Sequence, residues 1–122
     1  MVRRHQKLEV WKDAIDLVES IYRLTATFPV DERYGLSSQL RRAAVAIPSN
    51  LAEGAARSSQ REFLRYLDVA RSSVVEIETQ IVIARRLAMA PDDANLDSSL
   101  DRVFARLSAL IRRIAEKVAK TT

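Results

Sequence analysis

Residues 28–87 read FPVDERYGLSSQLRRAAVAIPSNLAEGAARSSQREFLRYLDVARSSVVEIETQIVIARRL. Apolar residues recur at three- and four-residue spacing on both sides of a Ser-rich break, the pattern of two consecutive amphipathic helices. The first spans about Leu36 to Ala56, with the stripe Leu36, Leu40, Ala43, Ala44, Ile47 and Leu51. Pro48 lies inside it. An interior proline removes one backbone hydrogen bond and crowds the preceding turn. A kink between Ala44 and Pro48, or two half-helices joined there, is therefore expected. Ser49, Asn50 and Glu53 follow the proline and are expected to form a structural polar network near the freed carbonyls, rather than a ligand site.

The second helix of the pair spans about Gln60 to Met89. Ser59 and Glu62 stand at capping-box spacing, so each side chain is expected to accept from the other's backbone N–H. Phe63, Leu67, Ala70, Val74, Ile77, Ile81, Ala84 and Ala88 then alternate in four- and three-residue steps, a heptad seam. Val69, Val75, Val82 and Ile83 fall well off that seam, about 100° or more away at 100° per residue. Exposed apolar residues of this kind mark an interface. They make this helix the expected site of self-association, unless connectors cover it. Glu76 sits among them beside Gln80, with Arg42, Asn50 and Arg57 as candidate partners for its carboxylate, because an unpaired buried charge is costly.

Outward from this pair, a helix from about Leu8 to Thr27 carries Trp11, Ala14, Ile15, Val18, Ile21 and Tyr22 on one stripe, and Phe28-Pro29 ends it. A last helix from about Leu96 to Lys120 repeats the four-three alternation at Leu96, Leu100, Val103, Leu107, Leu110, Ile114 and Val118. Asp92, Asp93, Asp97 and Asp101 near its start and Arg112, Arg113, Lys117 and Lys120 near its end complement the helix dipole. Short connectors between four amphipathic helices imply an all-α, up-down-up-down antiparallel four-helix bundle. It is expected to be a single domain over residues 1–122, with residues 1–7 a flexible basic arm and Thr121-Thr122 a loose end.

The chain has 122 residues, 48% hydrophobic and 30% charged, which suits one soluble globular domain. It has no Cys, so disulfides and thiolate chemistry are excluded. No apolar run reaches the roughly 18–20 residues of a membrane span, and no secretory signal opens the chain. A cytoplasmic location follows as an expectation. His5 is the only His. A His-based triad, a zinc site and the Glu-x-x-His pairs of di-iron bundles are thereby ruled out, and no phosphate-binding glycine motif is present. Glu76 and Glu78 are two residues apart and point about 200° apart on a helix, so they cannot share one acid–base site. The expectation is a non-enzymatic protein with no cofactor and no metal.

The net charge is +4, and most of the basic residues are Arg. Arg is the better phosphate fork, although a GC-rich genome produces the same bias. Arg57, Arg61 and Arg65 form a stripe at four-residue spacing, with Arg41, Arg42, Arg71, Arg85 and Arg86 as further candidates for phosphate contact. Intrahelical pairing of this stripe with Glu62 and Asp68 is the competing reading. Arg3, Arg4 and Lys7 with the end of the last helix make a second basic surface.

Phe28-Pro29, Tyr34-Gly35-Leu36, Ser38 to Ala43, Ile47-Pro48-Ser49-Asn50, Ala52-Glu53-Gly54, Glu62-Phe63 and Glu76 to Gln80 resemble, in order, the four-helix bundle family of open reading frames in 23S rRNA intervening sequences, also described as ribosomal-protein-like. The resemblance runs from about Leu8 to Leu87. The last helix matches only in character, and Ala88-Met89-Ala90-Pro91 stands where Gly-Tyr is usual. The resemblance implies a homo-oligomeric ring, a pentamer, and a link to ribosomal RNA. The accessory protein of diversity-generating retroelements is distantly similar and binds nucleic acid. No catalytic residue comes with the family. The expected function is an oligomeric module binding ribosomal or other structured RNA through Arg41, Arg42, Arg57, Arg61 and Arg65, with an interface at Val69, Val75, Glu76, Val82 and Ile83. The alternative is a protein-binding scaffold whose charge is incidental.

Overall fold

A computed structural model describes residues 1–121; Thr122, part of the expected loose end, lies outside them. Four helices account for most of the chain: α1 Glu9–Thr25, α2 Leu36–Ala55, α3 Gln60–Arg86 and α4 Ala94–Lys120. They pack around one core in the cyclic order α1, α2, α3, α4, with the largest interface between α2 and α3 and no close backbone approach across either diagonal. Cross-helix contacts run in opposite chain directions at every interface. Arg41 meets Thr25 while Pro48 lies by Trp11, Gln39 meets Gln80 while Gly54 meets Phe63, and Arg71 meets Ser108 while Arg85 meets Asp97. Asp13 likewise pairs with Arg106 between α1 and α4. Successive helices are therefore antiparallel.

The stripes expected on α2, α3 and α4 form the core, apart from Ala88, which lies beyond the helix, and Val118, which is half-buried. The stripe on α1 is rotated. Val10, Ala14, Leu17, Ile21 and Thr25 are buried, whereas Ile15 and Tyr22 are each 42% exposed. At 100° per residue the buried face is centred about 60° from the expected one, with Ala14 and Ile21 common to both. The apolar arc of α1 exceeds half the helix, so two centres fit the spacing and only packing selects between them.

α2 continues through Pro48 as one helix rather than dividing into two half-helices. Pro48 is buried, and Asn50 donates its side-chain amide to the Ala46 carbonyl at 2.7 Å, reinforcing the turn that contains the proline. The Ser49 and Glu53 side chains are exposed and make no hydrogen bond among the described residues, so the expected polar network reduces to Asn50 alone. At Gly54 α2 passes close to α3. A Cβ there would lie 2.7 Å from the Tyr66 Cβ and 2.9 Å from the ring of buried Phe63.

Half of the expected capping box forms: Ser59 Oγ accepts from the Glu62 N–H at 3.1 Å, while the Glu62 carboxylate receives the Ser59 hydroxyl at 3.4 Å instead of its backbone N–H. α3 stops at Arg86, three residues short of expectation, because Ala88 adopts a left-handed conformation with φ of 59°. The Met89 N–H bonds the Ala84 carbonyl at 2.8 Å and the Ala88 N–H bonds that of Arg85 at 3.0 Å, a Schellman turn. α4 begins two residues earlier than expected because Asp93 caps it, accepting from the N–H groups of Asn95 and Leu96. Thr121 closes α4 by bonding the Val118 carbonyl.

Part of the expected basic arm packs on the bundle. Arg4–Lys7 forms a 3-10 turn packed on α2. Arg4 stacks over the Phe63 ring at 4.7 Å and donates to the Ala55 carbonyl at 3.4 Å, an orphan acceptor at the C-terminus of α2. His5 meets Trp11 edge-on, with ring centroids 5.1 Å apart.

Candidate nucleic-acid interface

The docked N-terminal turn, the α2–α3 turn and the last turns of α4 meet at one end of the bundle. Arg4 ties the first to the second. A concavity of about 360 Å³ lined by Lys7, Arg106 and Arg113 joins the first to the third. Residues 1–8, 53–66 and 109–121 together carry ten Lys and Arg against three Asp and Glu. At the opposite end, residues 20–36 and 85–98 carry four against five. The net charge of the molecule is thus concentrated at one end, where Arg3, Arg57, Arg61, Arg65, Arg112, Arg113, Lys117 and Lys120 are all exposed.

The stripe Arg57, Arg61 and Arg65 belongs to this end. Its expected acidic partners are engaged elsewhere: Glu62 with Ser59, and Asp68 with Arg71 at 3.5 Å. Among the described residues, Arg61 and Arg65 have no ion pair, and Arg57 lies over the Tyr66 ring at 4.9 Å and bonds its hydroxyl. Two of the further arginines are structural. Arg71 reaches Ser108 at 3.3 Å, and Arg85 binds Asp97 at 3.1 Å and the Pro91 carbonyl at 3.2 Å, tying α3 to α4.

Arg41 and Arg42 are not part of this end. They stand twelve and eleven residues before Glu53 along α2, roughly 17 Å away at the helical rise per residue. They line a second concavity, of about 620 Å³, with Tyr22, Arg33, Tyr34, Ser38, Val45 and Ala46. The Arg41 guanidinium covers the Tyr22 ring at 4.5 Å and its Nε donates to Thr25 Oγ1 at 2.8 Å. Arg33 and Tyr34 were not singled out as site residues in the sequence. Their signal is an Arg-Tyr pair in a connector where neither side chain has an apolar face to cover.

All five residues of the expected association face are exposed, but they form two flanks. At 100° per residue Val69, Glu76 and Ile83 border α2, whereas Val75 and Val82 border α4, with Ser72 and Thr79 on the ridge between them. Glu76 has none of the three candidate partners; its contact is the Gln80 amide at 3.5 Å, and that amide also reaches Gln39 at 3.4 Å. On the other flank, burial and, secondarily, the charge of Asp101 push the Glu78 carboxyl above its usual range. Phe104, 37% exposed, lies between Asp101 and Ser108 on α4, level with Val75.

Among the described residues, no group of three or more acidic or His side chains is placed to hold a metal, and no helix is long and apolar enough to cross a membrane. The model of the family described as 23S rRNA-intervening sequence protein matches residues 6–110. The match extends past Leu87 through most of α4, beyond the reach of the sequence resemblance. The chain belongs to this family. No curated protein matches it.

Proposed function

We propose that this member of the 23S rRNA-intervening sequence protein family is a non-enzymatic, self-associating module that binds structured RNA through its basic end. The observation that carries this reading is the convergence of three separate segments on one surface with ten basic and three acidic residues. Arg61 and Arg65 there spend no charge on an internal partner. Phosphate contact needs that arrangement, and base-specific reading does not follow from it.

Binding of a structured RNA hairpin, followed by anisotropy over a salt series, tests the proposal. Replacing Arg57, Arg61 and Arg65 together by Gln reduces the slope of log affinity against log salt by about 2–3, roughly one per lost phosphate contact. Full affinity at high salt, or no binding at low salt, rejects it. The exposed Val75, Val82 and Phe104 favour a second reading, a scaffold for a partner protein. A co-purifying protein that survives nuclease treatment, without bound RNA, supports that reading instead.

A further inference from the structure

We infer that the concavity between α1, α2 and their connector is a nucleotide site, taking an unpaired base on the exposed Tyr34 ring and its phosphate on Arg33 and Arg42. It rests on the RNA-binding reading but uses arginines and tyrosines roughly 17 Å or more from the basic end, by the helical rise per residue along α2.

The size fits: about 620 Å³ lies within the roughly 300–1,000 Å³ of small-ligand sites. So does the chemistry. Tyr34 is 89% exposed, with its ring unsupported by the core. An aromatic face in that position gains free energy when a flat partner stacks on it. Tyr22 is 42% exposed, and Arg41, held by its bond to Thr25, covers the Tyr22 ring, so the pair forms a fixed cationic wall of the concavity. Arg33 and Arg42 are exposed and have no ion pair among the described residues. Ser38 adds a hydroxyl, and Val45 and Ala46 an apolar wall.

The α2 N-terminus itself does not receive the anion. Glu32 already accepts from the Leu36 N–H at 3.1 Å, so a phosphate there meets a carboxylate. The arginine side chains are the available donors. The exposed Tyr34 ring and the unpaired guanidinium groups of Arg33 and Arg42 match a ligand that combines a planar base with a phosphate. A base stacked within a duplex cannot offer its face, so the site selects unpaired nucleotides.

The test uses the full chain, an unstructured single-stranded RNA octamer and a blunt RNA hairpin whose loop is replaced by a non-nucleotide linker so that every base is paired, both at low salt. Tyr34→Ala weakens octamer binding about 5- to 100-fold, the loss of one stacked base, and leaves hairpin binding unchanged. Tyr34→Phe restores it, because the ring and not the hydroxyl is needed. Arg42→Gln weakens the octamer in the same selective way. Uridine monophosphate as competitor separates the sources of ligand: displacement of the octamer assigns the site to free nucleotides as well, and no displacement confines it to nucleotides within RNA. Octamer binding untouched by Tyr34→Ala, or hairpin and octamer weakened equally, overturns the inference. Hairpin binding without octamer binding overturns it while leaving the basic-end reading intact. Binding of neither RNA removes both.

Discussion

Gly54 shows how one residue sets the distance between two helices. Its missing side chain leaves room for the Tyr66 Cβ, which is fixed to the α3 backbone, and for the Phe63 ring, which is 1% exposed. Neither neighbour can swing away as the end of a long side chain would. Gly54→Ala gains up to about 1 kcal/mol of helix propensity but overpacks the crossing at about 1–3 kcal/mol. The expected outcome is a net loss of about 1–2 kcal/mol, read from the midpoint of urea unfolding; a more stable variant contradicts the crossing geometry. The glycine was visible in the sequence as part of Ala-Glu-Gly, but its reason was not. The clash involves residues nine and twelve positions along the chain, on another helix. The same holds for Arg4 and Arg41. As letters they are two of many cations, and only packing shows one stacked on Phe63 and the other on Tyr22.

At the scale of elements, the end of α3 departs from the usual rule. A Schellman turn needs a left-handed residue, and here Ala88 takes it with φ of 59°. That conformation costs an L-residue about 1–2 kcal/mol, which glycine avoids at some entropic expense. Ala88→Gly therefore stabilises the protein by about 0.5–1 kcal/mol, measurable as a higher melting temperature with unchanged helix content; a lower melting temperature refutes the assignment. Without a glycine to mark the turn, the heptad spacing ran on to Ala88 and the helix was expected to reach Met89. α1 misled differently. Its apolar residues cover so wide an arc that spacing fits a face centred on Trp11 and Val18 as well as one centred on Ile21. Packing buries the second, and the flank bearing Trp11, Ile15 and Val18 lies above Val45 and Pro48. That flank supplies Tyr22 to the nucleotide site.

For the whole molecule, the question is what covers the apolar residues outside the core. Val75 and Val82 are 48% and 52% exposed, and Phe104 continues their strip onto α4. Self-association that buries the strip predicts a particle larger than one chain by sedimentation at micromolar concentration. Val82→Arg lowers its mass while circular dichroism stays unchanged. A monomeric wild-type protein at that concentration rejects the interface. On the proposed reading, association would multiply the basic ends, each copy adding phosphate contacts to one RNA. By itself the sequence determined the all-α class, the four helices and the core of three of them, because periodicity and caps act within a few residues of chain. It also located the Arg57, Arg61 and Arg65 stripe, since four-residue spacing on one helix implies one face. Tertiary structure alone decided which face of α1 is buried, that residues 4–7 dock, and that Arg41 and Arg42 part company with the other three. It likewise joined three chain segments into one basic end and assembled Tyr22, Arg33, Tyr34 and Arg42 around one concavity. The physical reason is common to all of these: burial and charge clustering depend on distances between helices, and those distances are set by packing rather than by spacing along the chain.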